Sequence, residues 1–223
     1  MTAILPHIAL ETAQQPTFSI IWLHGLGADG EDFVPIADEL QLPVAVRYIF
    51  PHAPSRPVTV NGGFVMRAWY DISGNDISAE QDAAGIGAAQ ADIEALIAQE
   101  VARGIAPHHI FLAGFSQGGA IALHTALRQS KHLAGVLALS TYLPLADTVA
   151  ATATPDSRLT PLFIAHGRND PIVPYSLGVT SREALLAQGY RVEWHDYPMQ
   201  HTVNPAELRD IEAWLKIRIR ALS

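Results

Sequence analysis

The amino-acid sequence predicts an α/β fold in which a mostly parallel sheet is flanked by helices. Short apolar runs alternate along the chain with stretches of helical periodicity, and this alternation is typical of parallel sheets. Several runs are apolar at consecutive positions, as expected for strands that are covered on both faces. The 223 residues contain no repeat, charge block or low-complexity linker. We therefore expect residues 1–223 to form a single α/β domain.

The predicted strands are short runs rich in β-branched, aromatic and other apolar residues. In chain order they are Phe18–His24, Val44–Phe50, His109–Ala113, Ala134–Ser140, Leu162–His166 and Tyr190–Tyr197.

A long helix is predicted before the third of these strands. Ser78 is a candidate N-cap, and Gln81 at the third helical position completes a capping box. Gly104 provides the stop at the other end. The apolar face of this helix is predicted to consist of Ile86, Ile93, Ile97 and Val101.

Further helices are predicted in the second half of the chain. One follows Ser116, and another covers Leu177–Gln188 and ends at Gly189. The last begins at Asn204, with Pro205 at its first position and Glu207 at its third. Its predicted apolar face is Leu208, Ile211, Leu215, Ile219 and Leu222.

Composition and charge exclude several classes of function. Apolar residues make up 49% of the chain and charged residues only 16%, which indicates a compact globular protein rather than a disordered one. The formal net charge of −8 repels phosphate backbones and anionic lipid headgroups. We therefore expect neither nucleic-acid binding nor stable insertion into membranes.

The chain contains no cysteine, so a disulfide framework, a thiolate metal site and a thiol nucleophile are all excluded. The N-terminal segment lacks a basic region followed by an uninterrupted apolar stretch, and no run of about 18 apolar residues occurs. We therefore predict neither a signal peptide nor a transmembrane helix, and a cytoplasmic location.

The segment from Pro51 to Ile77 interrupts the alternation of strands and helices. It is rich in proline and glycine and shows no clear long helix. A connection of this length in a compact domain is usually functional. One interpretation is a surface excursion that carries a small hairpin, and the other is a wall of the substrate cleft.

The sequence Gly114-Phe115-Ser116-Gln117-Gly118 matches the G-x-S-x-G motif of nucleophilic serines. An apolar strand precedes it and a helical stretch begins at Gly119, which is the context that the motif requires. A sharp turn from strand to helix forces the serine into a strained conformation, so small residues are needed around it. The motif predicts that Ser116 is a nucleophile at the edge of the sheet.

A serine hydroxyl needs a base, and the base needs an orienting carboxylate. In this arrangement the chain order is serine, acid, histidine. Asp170 follows the strand Leu162–His166 at its carboxyl end and is the favoured acid. Asp147 and Asp156, one strand earlier, are the alternatives, and a turn-forming aspartate before proline is the structural interpretation of Asp170.

His201 is the favoured base, because it lies in the loop between the last strand and the last helix. Other histidines are interpreted as structural, with His166 supporting the Asp170 loop. His108 and His109 are adjacent at the start of a strand and would point to opposite faces. No metal-ligand spacing occurs in the sequence, so we predict no metal and no cofactor.

The sequence His24-Gly25-Leu26-Gly27 follows the first strongly apolar strand. A loop of this kind supplies a backbone donor to an oxyanion hole, and the residue after the nucleophile supplies the other. We therefore expect the N–H groups of Leu26 and Gln117 to bind an oxyanion. Backbone donors are fixed before the substrate arrives, so they stabilise developing charge without reorganisation.

Taken together, several motifs resemble the carboxylesterase and acyl-protein thioesterase (phospholipase/carboxylesterase) family. They are Leu23–Gly30 (LHGLGADG), Gly114–Gly119 (GFSQGG), Ser140–Pro144 (STYLP) and His166–Pro171 (HGRNDP). The segments Phe50–Pro54, Pro57–Thr59, Asn61–Gly63 and Ala68–Asp71 look like the branch of small bacterial carboxylesterases. The resemblance covers nearly the whole chain. The chain departs from the pattern around the histidine, where Gln200 replaces the common glycine and Thr202 replaces an acidic or small residue.

The resemblance implies an α/β-hydrolase fold without a large lid domain. It also implies that the triad falls on Ser116, Asp170 and His201, and the oxyanion donors on Leu26 and Gln117. Members of the family hydrolyse short- to medium-chain acyl esters, some act on thioesters or lysophospholipids, and homodimers are common.

We therefore expect a serine carboxylesterase that acts on small acyl esters through an acyl-enzyme intermediate. Trp69 and Leu143 are candidates for the wall of the acyl pocket, and either could instead belong to the core. An acyl-protein thioesterase or lysophospholipase would use the same residues. A non-catalytic binding module on the same fold is the alternative from another class.

Overall fold

The computed structural model describes residues 4–74 and 81–222. The strands are β1 (His7–Glu11), β2 (Phe18–Leu23), β3 (Val46–Pro51), β4 (Ser55–Val58), β5 (Phe64–Arg67), β6 (Ile110–Phe115), β7 (Gly135–Leu139), β8 (Leu162–Gly167) and β9 (Val192–Tyr197). The α-helices are α1 (Ile36–Glu39), α2 (Ala83–Ala102), α3 (Gln117–Ala126), α4 (Val149–Thr152), α5 (Tyr175–Ala187) and α6 (Pro205–Leu222). Short 3-10 helices cover Gly30–Phe33, Thr59–Asn61, Pro107–His109, Ala146–Thr148 and Asp156–Leu159.

A seven-stranded sheet forms the centre of the molecule, in the order β1-β3-β2-β6-β7-β8-β9. Only β1 is antiparallel to its neighbour, and the other pairs are parallel. The prediction of a mostly parallel sheet flanked by helices is therefore confirmed. Because parallel strands end at the same edge, the loops after β2, β6, β7, β8 and β9 meet along one side of the molecule.

The sheet separates two apolar layers. One layer lies beneath α2, α3 and α5 and includes Ile86, Ile121 and Leu185. The other lies beneath α1 and α6 and includes Ile36 and Ile211. Strands β2, β6, β7 and β8 contribute to both layers because their successive side chains point to opposite faces. This burial explains why their sequences are apolar at consecutive positions.

Every end of the six predicted strands lies within two residues of the observed end. Strand β1 was not predicted. It pairs antiparallel at the edge of the sheet, and much of it is exposed. An exposed edge strand buries too little surface to need an apolar run, so its sequence carries little periodic signal.

The start and the buried face of α2 differ from the prediction. The predicted N-cap, Ser78, lies outside the described residues, and the helix begins at Ala83 with Asp82 as its cap. The Asp82 carboxylate accepts from the Gly85 N–H at 2.8 Å, as a strong N-cap residue does.

In the last turns of α2, Val101 is 41% exposed and Glu100 is buried instead. The reason is a polar contact: Glu100 accepts from the Ser19 hydroxyl at 2.7 Å and from Arg47 Nε at 3.2 Å. A charge that is satisfied in this way can occupy an interior position, which hydrophobic periodicity alone does not anticipate.

Strands β4 and β5 form a separate two-stranded antiparallel sheet within the long segment after Pro51. The interpretation of this segment as carrying a small hairpin is therefore confirmed. Over residues 4–74 and 81–222, no separate lid domain covers the carboxyl edge of the main sheet. None of the described helices is both long and apolar enough to cross a membrane.

Candidate active site

Ser116 lies at the sharp turn between β6 and α3. Its backbone adopts φ 54° and ψ −121°, a conformation that costs a side-chain-bearing residue free energy and that is concentrated at functional sites. A Cβ atom on Gly118 would lie 2.4 Å from the Leu23 carbonyl oxygen, and one on Gly114 would lie 2.4 Å from the Gly118 carbonyl carbon. The glycines of the motif are thus required by close packing of backbone against backbone.

The backbone of Ser116 is anchored on both sides. Its N–H donates to the Leu139 carbonyl at 2.9 Å. Its carbonyl accepts from the Ala120 N–H at 3.1 Å and from the Thr141 hydroxyl at 2.6 Å. Thr141 was not predicted as a site residue, although it lies just after β7 and within the Ser140–Pro144 motif. These bonds hold the strained turn in place.

The side chains of Ser116, His201 and Asp170 form one hydrogen-bonded chain. His201 Nε2 lies 2.9 Å from Ser116 Oγ, and His201 Nδ1 lies 2.7 Å from Asp170 Oδ2. Because an ionised carboxylate can only accept, Nδ1 carries the proton and Nε2 is left to accept from the serine hydroxyl. The structure therefore brings together the three predicted residues, in the geometry of an activated nucleophile.

The Asp170 carboxylate is buried and satisfied on both oxygens. Oδ1 accepts from the N–H groups of Ile172 and Val173, at 2.8 and 2.9 Å. Oδ2, which contacts His201, also lies 3.5 Å from Nε2 of the buried His166. The alternative acids lie elsewhere: Asp147 lines a neighbouring cavity, and Asp156 begins a 3-10 helix.

His166 supports the Asp170 loop. Its Nε2 lies 2.9 Å from the Val173 carbonyl, so the ring connects the end of β8 to the far side of this loop. Burial lowers the pKa of His166, while the Val173 carbonyl and Asp170 oppose the shift. A neutral imidazole with its proton on Nε2 fits these contacts.

The loop that carries His201 rests on the loop after β8. Asn169 N–H donates to the Met199 carbonyl at 3.1 Å, and a Cβ on Gly167 would lie 2.4 Å from the Gln200 carbonyl. Gln200 itself is exposed and does not have a positive φ. The chain therefore accommodates a side chain where the family commonly has glycine.

The predicted oxyanion loop runs beside the nucleophile. A Cβ on Gly25 would lie 3.5 Å from Ser116 Cβ. Gln117 is the first residue of α3, so its N–H has no acceptor within the helix. Among residues 4–74 and 81–222, neither the Leu26 N–H nor the Gln117 N–H donates to a protein acceptor. Both groups are free to bind a negative oxygen.

The two candidates for the acyl pocket lie in different places. Leu143 lines a cavity of about 410 Å³ at the carboxyl edge of the sheet; its other lining residues are Gln81, Tyr142, Leu145, Ala146, Asp147, Leu177, Thr180, Ser181 and Ala184. Neither Ser116 nor His201 lines this cavity. Trp69 does not line it either and is fully buried. Trp69 therefore belongs to the core, which is the alternative that the sequence left open, and its indole is enclosed by protein.

The remaining histidines make structural contacts. His195 faces Glu193 and Asp210, and His108 packs its ring against those of His109 and His132. In the part of the chain that the structure describes, no three His, Asp or Glu side chains are grouped so that they could hold a metal ion.

Comparison with known proteins agrees with this fold. Residues 7–219 match the phospholipase/carboxylesterase family. Acyl-protein thioesterase 1 of Gibberella zeae is 39% identical over 220 residues, which cover 94% of each chain. Carboxylesterase SOBER1 of Arabidopsis thaliana is 33% identical over 92% of both chains.

Solved structures give the same result. The crystal structure of Arabidopsis thaliana SOBER1 superposes with a TM-score of 0.86 at 32% identity, over 91% of this chain and 99% of that one. Acyl-protein thioesterase 2 of Zea mays superposes with a TM-score of 0.86 at 29% identity, over 96% and 99%. These relatives are fungal and plant proteins. The chain belongs to the phospholipase/carboxylesterase family of hydrolases that act on ester bonds.

Proposed function

We propose that the protein hydrolyses carboxylic esters of short to medium acyl chains, with Ser116 as nucleophile, His201 as base and Asp170 as the acid that orients the base. The observation that carries this proposal is the pair of hydrogen bonds on His201, at 2.9 Å to Ser116 and 2.7 Å to Asp170. This arrangement supports transfer of the serine proton to His201 without prior movement of the side chains.

In the proposed reaction, Ser116 Oγ attacks the acyl carbon while His201 Nε2 takes its proton. The oxyanion of the tetrahedral intermediate accepts from the N–H groups of Leu26 and Gln117. His201 then protonates the leaving alcohol, and an acyl ester on Ser116 remains. A water molecule, deprotonated by His201, attacks this ester. His201 returns the proton to Ser116 Oγ as the bond between Oγ and the acyl carbon breaks, and the acid is released. Asp170 stabilises the imidazolium form in both halves of the reaction.

The acyl chain is proposed to extend toward the cavity that Leu143 lines. Thr141 Oγ1 contacts the Ser116 carbonyl, and the next two residues, Tyr142 and Leu143, line the cavity. Its wall mixes apolar side chains with polar groups such as Ser181 and Asp147, as is usual for a pocket that binds a small ligand.

A thioesterase is the second candidate, because several of the matching relatives are acyl-protein thioesterases. Thioesters would react at the same residues, since attack on the carbonyl and stabilisation of the oxyanion do not depend on the leaving atom. Homodimer formation and a cytoplasmic location stay predictions from the sequence.

The test is hydrolysis of p-nitrophenyl acetate, butyrate and octanoate, and of a palmitoyl thioester, by the wild type and by Ser116→Ala. We expect the variant to lose at least about 10³-fold in kcat. Ser130→Ala, which alters an exposed serine, should keep full activity. The order of the substrates separates a short-chain esterase from a thioesterase.

The proposal is contradicted if wild type and Ser116→Ala hydrolyse these substrates at equal rates. A fluorophosphonate probe gives an independent measurement, because it should label the wild type at Ser116 and leave Ser116→Ala unlabelled.

A further inference from the structure

The segment that follows β5 is hydrogen-bonded to both loops that carry the proposed oxyanion donors. We call Arg67, Trp69 and Tyr70, together with Ala53, the brace. Five of its contacts reach the loop of Leu26 or the start of α3, although the brace lies more than 40 residues from Ser116 in sequence. The brace therefore connects two parts of the site that are distant along the chain.

Trp69 lies between the two loops. Its indole Nε1–H donates to the His24 carbonyl at 2.9 Å, and its backbone N–H donates to Gln117 Oε1 at 2.8 Å. The residue is fully buried. The indole thus fixes the carbonyl of His24, two residues before Leu26. The backbone N–H of Trp69 holds the side chain of Gln117, the other donor residue.

Both the oxygen and the nitrogen of the Gln117 carboxamide are hydrogen-bonded. Oε1 accepts from Trp69, and Nε2 donates to the Tyr70 carbonyl at 2.8 Å. Gln117 is only 3% exposed, so water does not compete for these hydrogen bonds. Its side chain therefore fixes the first residue of α3, whose N–H has no acceptor among the residues that the structure describes.

A second set of bonds holds the other side of the Leu26 loop. The Gly27 N–H donates to the Arg67 carbonyl at 2.9 Å, and Arg67 Nη1 donates to the Ala53 carbonyl at 2.9 Å. The Ala53 N–H in turn donates to His24 Nε2 at 3.1 Å. Since Nε2 accepts, the His24 proton lies on Nδ1, which is 2.7 Å from the Gly25 carbonyl. Leu26 is thereby anchored on both flanks.

We propose that the Trp69 indole and the Gln117 carboxamide are positioning residues that set the distance between the Leu26 and Gln117 N–H groups. This inference rests on the proposed function, because it concerns the oxyanion hole of the same site. On this proposal, the long segment after β3 holds the two oxyanion donors in position.

The positions of the two donors determine how strongly they stabilise an oxyanion. An oxyanion is stabilised when donors lie about 2.7–3.1 Å from the position that it occupies in the transition state. A displacement of about 1 Å can cost about 10²-fold in rate. The ground-state carbonyl depends much less on these donors, so loosening the brace should lower kcat and leave KM nearly constant.

The test compares Trp69→Phe and Gln117→Met with the wild type. The first removes the indole donor and keeps an aromatic ring, and the second removes the carboxamide and keeps an unbranched side chain. Measurements are kcat and KM for p-nitrophenyl butyrate, and Ki for an alkyl trifluoromethyl ketone, whose adduct with a serine carries an oxyanion. We expect kcat to fall and Ki to rise in parallel, each by about 10- to 100-fold, with KM changed by less than about twofold.

The matched control is Tyr190→Phe, which removes a buried hydrogen bond to Ser157 of 2.8 Å just before β9. It should lower the Tm to a similar extent and leave kcat and Ki unchanged. All rates are taken well below the Tm of each variant, and fluorophosphonate labelling of Ser116 measures the fraction of competent enzyme.

The inference is overturned if both brace variants keep the wild-type kcat and Ki, or if KM rises while kcat stays constant. Failure of the proposed function looks different, because wild-type activity would then not depend on Ser116 and the probe would not label it. A parallel change in kcat and Ki in labelled enzyme supports the inference.

Discussion

Glu207 lies in the first turn of α6, close in sequence to His201, and its side chain is fully buried. Its backbone N–H donates to the side chain of Asn204, the residue that caps the helix. Burial raises the pKa of Glu207 to about 8, the Asn204 backbone opposes the shift, and Asp210 adds to it. Tyr197, whose hydroxyl donates to Asp210, also faces this group. The carboxyl group is therefore protonated in the native state at neutral pH.

This shift makes stability depend on pH. The unfolded chain releases the Glu207 proton near pH 4.5, whereas the native state keeps it up to about pH 8. Because the native state binds more protons in this interval, the free energy of unfolding falls as the pH rises from about 4.5 to 8. We expect Glu207→Gln to remove this decline, so that the variant gains stability relative to the wild type as the pH rises.

Urea unfolding between pH 5 and pH 8 measures the difference. The control is Glu212→Gln on the same helix. The hydrogen bond from Lys216 and, to a smaller extent, that from the Gln41 N–H lower the pKa of Glu212. The contribution of Glu212 to the free energy of unfolding is therefore lost only on acidification. Parallel curves for wild type and Glu207→Gln over this interval would contradict the prediction.

The turn from β6 to α3 packs closely against the end of β2. A Cβ on Gly118 would lie 2.4 Å from the Leu23 carbonyl oxygen and 2.5 Å from that of His24. Both neighbours are backbone atoms of a central strand and of the loop that follows it, so neither can move cheaply. Relief of this contact would shift α3 away from the loop of Leu26.

We therefore expect Gly118→Ala to lower kcat by about 10²-fold or more and to reduce the Tm. Gly87→Ala is the matched substitution, because Gly87 lies in α2 and a Cβ there would have no neighbour within 4 Å. It should raise stability by about 0.5–1 kcal/mol, since alanine favours the helix, and keep full activity. Kinetics and thermal unfolding of both variants test this, and an active Gly118→Ala enzyme would refute it.

The two edges of the sheet carry different groups of polar side chains. Ser116, Asp170 and His201 gather at the carboxyl edge, whereas a buried ion cluster lies near the opposite edge. There Glu100 contacts Ser19 near the start of β2 and Arg47 near the start of β3. A six-residue strand spans roughly 20 Å, so the cluster is well separated from the proposed catalytic residues.

Because of this separation, we expect substitutions in the ion cluster to lower stability and leave catalysis unchanged. Glu100→Ala should destabilise the protein by about 3–5 kcal/mol, because it leaves Arg47 partly buried without its interior partner. Glu11→Ala removes the more exposed partner of the same arginine and should cost less than about 1 kcal/mol. Chemical unfolding gives both values. Well below the Tm, kcat should equal that of the wild type, and a specific fall in kcat would contradict the separation.

Local sequence determined the central strands, the glycine-rich turn at Ser116 and the position of Asp170 and His201 after their strands. These features depend on residues within a few positions of one another, and steric and periodic rules act at that range. The family follows from the same motifs, and the comparisons confirm it. The order of strands then placed the three site residues at one edge, because parallel strands end together.

The environment of Trp69, Thr141 and Glu100 depends on tertiary packing. Trp69 is an apolar aromatic residue in a loop, and sequence pattern does not separate a pocket wall from a buried donor. Its partners, His24 and Gln117, lie 45 and 48 positions away along the chain. Glu100 likewise occupies the interior because Ser19 and Arg47 arrive from distant strands. Side-chain hydrogen bonds between remote segments depend on how the layers pack, which periodicity does not encode.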